Sequence, residues 1–359
     1  MSIKPILMSK MTKWKVLDKV LPNYELYGNY ANLFIDVRSI IGAFFTSQYG
    51  NIVEQLQPSD KLLICSTIMN LAAHYRAYFW DTFKIRTRVF IIHSDEASEY
   101  ATSIFPEYKA KYATQHAIDG EFSQSSYYIE SNLKLLKHVA SKCPEIYYID
   151  SEKIEPNVVP LYIQKFHSYE DDINIVLSNE KMAIQYAAHH RFNILQMKGD
   201  KSQLITKTNA ISVLTGGKRD FEEWKYMILP VLAIAGSKNK HGVPGLPRTS
   251  YITASKKVEQ MLSKKLLPNI ETTYDSFMLA VDEFFPKEEA VIIDRNYKLF
   301  DVREHVDQFT DTQKEWIKMC TEPGIVDLGV IQDVNGKYFK KNAININFLT
   351  RGENAEDEE

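Results

Sequence analysis

Cysteine is scarce. Cys65, Cys143 and Cys320 are the only three in 359 residues, widely spaced and odd in number. That pattern supports neither a disulfide framework nor a cysteine-ligated metal cluster, and it points to a reducing compartment. No apolar run approaches the roughly 18 residues of a membrane span, so no membrane partner is expected. The first twenty residues are basic and apolar but lack a continuous apolar core and a clear cleavage site. No signal peptide is expected, and the expected location is cytoplasmic. A basic excess is missing too: 43 Lys and Arg face 46 Asp and Glu, a net charge of −3. Any nucleic-acid surface must therefore be a local patch. What is abundant is core-forming material, with 45% hydrophobic residues, 21 Tyr and 18 Phe. A chain of this size accommodates one large α/β domain with a second lobe, or two domains.

The stretch Ala31 to Ile41, A-N-L-F-I-D-V-R-S-I-I, places one acid, Asp36, in an apolar run. Such a run predicts a buried strand of an α/β sheet. An acid at its carboxyl end stands where open α/β sheets hold ligands. The plainer alternative is that Asp36 or Ser39 caps the following helix. A short helix over 40–45 and a long one over 60–83 are expected, the latter capped by Ser59 or Asp60. Further strands are expected over 86–93, 145–149, 172–177 and 191–197. Helices are expected over 127–141, 155–165 and 182–189, and the strand–helix–strand order predicts a parallel sheet.

The segment P-E-Y-K-A-K-Y from Pro106 to Tyr112 is basic and aromatic. It reads either as a solvated helix start or as an arch touching phosphates through Lys109 and Lys111, with Tyr108 and Tyr112 free to stack on bases. Character changes near Leu204. Between Ser237 and Lys265 stand seven Lys or Arg and a single acid, Glu259. There the turn-rich G-S-K-N-K-H-G-V-P-G-L-P precedes a helix expected over 253–262. Exposed turn N–H groups beside a basic helix suit a phosphate backbone, with Arg248, Lys256 and Lys257 as candidate contacts; the same run also reads as an exposed loop. A helix is expected over 277–285 and a strand over A-V-I-I-D, 290–294. The acidic ending E-N-A-E-D-E-E reads as a solvated tail.

Together these segments resemble the flap-endonuclease or 5′-nuclease superfamily, most closely the ribonuclease H (5′–3′ exonuclease) branch of T-even phages. L-F-I-D matches the family's first strand, with Asp36 at its first metal acid, and V-F-I-I-H-S-D matches the second, with Asp95 at its second acid. P-E-Y-K-A-K-Y matches the basic arch. I-Y-Y-I-D-S-E-K-I-E-P-N-V-V matches the segment that normally carries E-A-D-D: Glu155 is kept, while Asn157 and Val158 stand at the two aspartates. In I-V-L-S-N-E-K-M-A-I-Q, Glu180 and Met182 stand at two further aspartates. The 236–247 turn resembles the helix–three-turn–helix, with Ser237 and Lys240 in place of its acids.

The resemblance implies an α/β fold: a PIN-like, mostly parallel sheet flanked by helices, with a helical helix–three-turn–helix lobe. It divides the chain into an arm (1–30), the nuclease-like domain (31–203), the helical lobe (204–309) and an extension with an acidic tail (310–359). It implies Asp36, Asp95, Glu155 and Glu180 as catalytic and metal-holding acids for Mg²⁺ or Mn²⁺, with at most one site expected. Two-metal hydrolysis needs carboxylates around both ions, and a thioether or valine offers no hard oxygen donor. The leading expectation is a nucleic-acid-binding protein of phage DNA or RNA metabolism in the host cytoplasm, with catalysis lost or weakened. The alternatives are an active metal-dependent 5′–3′ nuclease or ribonuclease H, and a structural subunit of a phage complex. Expected partners are DNA or RNA as flap, duplex or hybrid, and phage replication or transcription proteins.

Overall fold

The run Y-A-N-L-F-I-D forms the central strand β1 (Tyr30–Asp36), in which every residue from Ala31 to Asp36 is buried. A strand covered on both faces needs no polar alternation, which is why it reads as an apolar run. In the computed structural model the described residues are 30–46, 62–94, 98–108, 122–150, 154–167, 172–189, 192–196, 203–237, 243–268, 272–339 and 343–351. After β1 come α1 (Val37–Thr46), α2 (Leu63–Phe83), β2 (Arg86–His93), α3 (Glu99–Ile104), α4 (Phe122–Ala140) and β3 (Ile146–Asp150). Then follow α5 (Val159–Phe166), β4 (Ile173–Leu177), a 3₁₀ helix (Lys181–Ala188), β5 (Phe192–Gln196) and β6 (Gln203–Ile205). The helical part holds α6 (Ala210–Thr215), α7 (Phe221–Trp224), a 3₁₀ turn (Lys225–Met227), α8 (Ile228–Ala235) and the short strands β7 (Gly236–Ser237) and β8 (Val243–Pro244). It continues through α9 (Tyr251–Ser263), α10 (Tyr274–Phe284), α11 (Lys287–Phe300) and α12 (Val302–Asp307). Last come α13 (Asp311–Cys320), α14 (Leu328–Tyr338) and α15 (Ile346–Leu349).

Six strands form one sheet in the order β3-β2-β1-β4-β5-β6. β1 to β5 are parallel and β6 is antiparallel to β5, so the sheet is mixed and mostly parallel, as expected. Alternate residues feed two cores. Phe34, Phe90, Ile149, Val176 and Ile194 face the helical lobe, whereas Leu33, Ile35, Ile91, Ile175 and Leu177 face α2, α4 and the C-terminal helices. On the lobe side Phe34 stacks on Phe90 with centroids 4.9 Å apart, and Phe90 stacks on Tyr147 at 5.2 Å. This aromatic layer makes a stiff floor beneath the strand ends.

Several expected elements shift. The strand expected over 290–294 lies inside the helix α11. Its β-branched run looks strand-like, but Ala290, Ile293, Asn296, Tyr297 and Phe300 are buried at helical spacing, and Glu288 and Glu289 sit in the first turn where the helix dipole favours them. The helix expected from Glu155 starts only at Val159, with Pro160 in its first turn. The helix expected over 182–189 is a 3₁₀ helix from Lys181 to Ala188. Strand β3 starts at Ile146, because Glu145 has a left-handed backbone, φ 52°. The antiparallel strand β6 and the C-terminal helices add elements that the pattern did not announce. The Trp316 indole of α13 donates to the Asp150 carbonyl at the end of β3, 2.7 Å away, and α14 and α15 complete the second core. The arm over 1–29, the caps Ser59 and Asp60, and the acidic ending after Arg351 lie outside the described residues.

His189 follows the 3₁₀ helix, its ring 6.2 Å from Tyr186 and 6.3 Å from Phe192. Burial lowers its pKa from 6.5 to about 4; Arg303 adds to the depression and Asp301 opposes it. The folded chain keeps this imidazole neutral where the unfolded chain protonates it. Its contribution to stability is therefore intact above about 6.5 and lost as pH falls toward about 4. Urea denaturation across this interval should show a decline that is shallower in His189→Gln, and equal slopes would refute the assignment.

Candidate functional site

Strand β1 lies between β2 and β4. The chain moves from β1 outward through β2 to β3, then crosses back to place β4 on the other side of β1. This is the topological switch point, where the carboxyl ends of the strands border a crevice. Asp36 ends β1 there, in register with Ile92 of β2, and Ile35 pairs with Leu177 of β4.

Asp36 is only 6% exposed, so its carboxylate must find donors inside the protein. The Ser39 hydroxyl donates to Oδ2 at 2.6 Å and the Ser178 hydroxyl donates to the same oxygen at 3.1 Å. The Ser39 N–H donates to Oδ1 at 3.3 Å, which caps the start of α1. The two hydroxyls are in turn acceptors: the Asn179 N–H donates to Ser39 Oγ at 2.9 Å and the Glu180 N–H to Ser178 Oγ at 3.2 Å. The segment S-N-E after β4 is thereby clamped to the end of β1.

Two more acids close the crevice. Glu155 is 3% exposed and Glu180 is 4% exposed. The Ser98 N–H donates to Glu155 Oε1 and the Tyr108 hydroxyl donates to Oε2, each at 3.3 Å. Burial pushes the Tyr108 hydroxyl well above its ordinary range; Glu155 and Glu180 push the same way and Arg38 opposes them. Tyr108 therefore keeps its proton and acts as a donor. The Asn157 amide donates to Glu180 Oε2, and the Asn157 carbonyl accepts from the Tyr186 hydroxyl. The neighbouring Arg38 guanidinium donates to the Ser94 carbonyl beyond β2. Val158 and Met182 belong to the apolar core under the lobe. Among the described residues no group of three or more His, Cys, Asp or Glu side chains comes together as a metal cage.

The site continues into the lobe. Tyr251 at the start of α9 has its pKa pushed up to about 12, first by burial and then by Glu180. Its hydroxyl donates to the Gly236 carbonyl at 3.1 Å. Between α8 and α9 the chain doubles back through β7 and β8. A Cβ on Gly245 would lie 2.0 Å from the Ala235 carbonyl oxygen, and one on Gly236, at φ +69°, would lie 2.1 Å from the Gly245 nitrogen. Only glycine allows the two backbones to approach this closely. Asn296 of α11 secures the turn from outside, donating to the Ala233 carbonyl at 2.9 Å and the Pro244 carbonyl at 3.0 Å. Arg295 also donates to the Pro244 carbonyl at 3.0 Å.

Of the candidate residues, Asp36, Glu155 and Glu180 line the switch-point crevice. Asp95, Lys109, Lys111, Tyr112 and Lys240 lie outside the described residues. Tyr108 is 2% exposed and bonded to Glu155, so it is no platform for bases; that expectation is corrected by its burial. Arg248 is exposed with a left-handed backbone, φ 55°, in the turn before α9. Lys256 is exposed on α9, while Lys257 is half-buried with its ammonium 5.0 Å from the Phe285 ring centroid. Sequence reasoning missed Ser178, Asn296 and the donor role of Tyr108. Ser178 had a signal, a hydroxyl one residue beyond a buried strand at the level of Asp36.

No protein-family model matches the sequence, and no curated protein matches it either. Solved structures do share the fold. The T5 5′-exonuclease with zinc bound is 13% identical at a TM-score of 0.54, with 82% of this chain and 99% of that chain covered. The T5 D15 protein co-crystallised with metal ions is 14% identical at a TM-score of 0.51, covering 81% and 97%. The bacteriophage T5 D15 flap endonuclease in a pseudo-enzyme–product complex with DNA and metal ions is 14% identical at 0.50, covering 81% and 97%. The fold is thus that of a 5′-nuclease, and about a fifth of this chain has no counterpart in those structures.

The clamp on Asp36 has a measurable strength. Ser178→Ala removes one donor from a buried carboxylate and one acceptor from the Glu180 N–H. The expected loss is about 1–3 kcal/mol in chemical denaturation. Ser178→Thr, which keeps the hydroxyl, should lose less; an alanine variant as stable as the native chain would exclude the clamp.

Proposed function

We propose that the chain is a nucleic-acid-binding protein of phage DNA or RNA metabolism, built on a 5′-nuclease fold whose hydrolytic chemistry is lost or strongly weakened. One observation carries this reading. Each of the three described acids is engaged by neutral protein donors: Asp36 by Ser39 and Ser178, Glu155 by Ser98 and Tyr108, and Glu180 by Asn157. Divalent magnesium and manganese want oxygen lone pairs directed at the ion. Here an amide nitrogen, hydroxyl hydrogens and two apolar side chains occupy the surroundings instead. The residues present do not fit a pair of ions, and at most one is expected among Asp36, Asp95, Glu155 and Glu180.

Binding rests on different features. The lobe over 204–309 presents Arg248 and Lys256 on exposed positions beside the β7–β8 pair, whose close approach two glycines allow and whose neighbouring carbonyls Asn296 bonds. Pre-formed turns with a neighbouring basic helix suit a phosphate backbone, which supplies affinity without reading sequence. Lys109 and Lys111 are proposed as further phosphate contacts. DNA or RNA as flap, duplex or hybrid is the proposed ligand.

Binding and cleavage of flap, hybrid and single-stranded substrates, each with manganese and with chelator, test the proposal together. Salt-dependent binding without cleavage is expected. Arg248→Gly suits the left-handed backbone, so relief of strain offsets the glycine's extra unfolded-state freedom and stability stays within about 0.5 kcal/mol. Combined with Lys256→Gln it should weaken binding roughly tenfold and reduce the salt slope by about two, one per phosphate contact. Manganese-dependent turnover that disappears in Asp36→Asn would overturn the loss of hydrolysis. Unchanged affinity in the double variant would overturn the lobe as the grip.

A further inference from the structure

Helices α10 and α11 form an antiparallel hairpin. The Phe277 and Tyr297 rings stack at 5.3 Å, and the Tyr274 hydroxyl donates to Asp294, so the start of α10 lies beside the end of α11. The inner side buries Phe277, Ala280 and Val281 of α10 and Ala290 and Ile293 of α11. The outer side is unusual for a surface. Leu279 is 73% exposed and Val291 is 63% exposed. At 1.5 Å per residue, Leu279 lies about 7.5 Å before the last residue of α10 and Val291 about 6 Å after the first residue of α11. They stand at one level on adjacent helices.

The surroundings of Leu279 are acidic. On a helix its neighbours are three and four residues away. Three of those four positions are Asp275, Asp282 and Glu283, all exposed, and among the described residues none of these carboxylates takes part in an ion pair or hydrogen bond. Around Val291 the same positions hold two cations and two acids: Lys287 and Glu288 are exposed with no ion pair or hydrogen bond among the described residues, Asp294 is held by Lys298 at 3.0 Å, and Arg295 donates to the Pro244 carbonyl at 3.0 Å. Two surface acids of the lobe are thus engaged, Asp294 and also Glu259, which Arg219 meets at 3.2 Å. The acidic excess is thus centred on Leu279 of α10, and negative charge there repels a phosphate backbone. The same lobe carries Arg248 in the turn before α9 and Lys256 on α9, so its charge is divided between separate elements.

We propose that the outer face of the α10–α11 hairpin docks a basic amphipathic helix of a partner protein. The aliphatic stripe of that helix would cover Leu279 and Val291, and its flanking lysines or arginines would meet Asp275, Asp282, Glu283 and Glu288. A helix laid in this way matches a shallow two-helix surface, with apolar anchors supplying affinity and opposite charge supplying approach and orientation. The inference is independent of whether the basic face holds nucleic acid.

The test uses the full chain and a fluorescent Lys/Leu amphipathic peptide of about four helical turns, followed by anisotropy. The controls are a peptide of the same composition with scrambled order and a Glu/Leu counterpart. Micromolar binding of the ordered Lys/Leu peptide alone is expected. It should weaken about tenfold in Leu279→Ser with Val291→Ser, and to a similar degree in Asp282→Asn with Glu283→Gln. Both pairs are exposed, and unchanged melting and unchanged nucleic-acid binding would show that the fold and the basic face survive. Equal binding of the scrambled peptide, or full binding by the serine variant, would reduce the effect to general charge attraction and overturn the proposal. Absence of binding at low salt would also overturn it. A native dimer in sedimentation that dissociates in the serine variant would replace the partner with a second copy of this chain.

Discussion

A carboxylate taken out of water must be met by donors or neutralised. Three such groups meet this demand at the carboxyl ends of a parallel sheet, and most of the surrounding structure follows from how they do it. Asp36 draws its donors from the first turn of α1 and from the residue after β4, so the middle strands are joined at the switch point by side chains as well as by their ladder. Glu155 draws on Ser98 and Tyr108, which fixes the segment after β2 against the segment after β3. Glu180 draws on Asn157, whose carbonyl is held by Tyr186 of the 3₁₀ helix. At these three acids the donors include the chain's own serines, tyrosine and asparagine.

The lobe shows the same economy with backbone groups. The turn between α8 and α9 exists because two positions have no Cβ, and its carbonyls are satisfied by Arg295 and Asn296 from α11. Tyr251 ties that turn to the neighbourhood of Glu180, its hydroxyl bonded to Gly236 and its pKa raised partly by Glu180. Helix α10 carries the charge opposite to that of Arg248 and Lys256, with Asp275, Asp282 and Glu283 and no base, so one small helical unit presents two chemically different faces.

The strands were legible because burial on both faces leaves an unmistakable apolar run, as in Y-A-N-L-F-I-D and I-N-I-V-L. The position of Asp36 was legible for the same reason, since an acid closing such a run has few places to go. The segment A-V-I-I-D misled because three β-branched residues together imitate a strand. Only the helical spacing of the buried side chains along the 14 residues of α11 distinguishes it. Tyr108 was misplaced because a tyrosine between lysines looks exposed, and its burial depends on a glutamate 47 residues later in the chain. Ser178 and Asn296 were illegible for a related reason. Their partners are 142 and 63 residues away, and no local pattern marks a donor whose acceptor is set by topology.

On the proposed reading, Val158 and Met182 build the loss of hydrolysis into the packing. Val158 is 2% exposed and Met182 is 6% exposed, and both are members of the continuous core that joins the sheet to the lobe. An acid at either position would enter an apolar environment with no donor prepared for it, and the cost of an unpaired buried carboxylate is several kcal/mol. Asn157 cannot change alone either, because its amide satisfies Glu180; a carboxylate there would set two buried acids face to face, and one would be forced to keep its proton. Each such replacement by an acid therefore costs stability before it supplies an oxygen donor. A core organised in this way keeps the 5′-nuclease fold, and the acids at its centre join the strand ends through the bonds they accept.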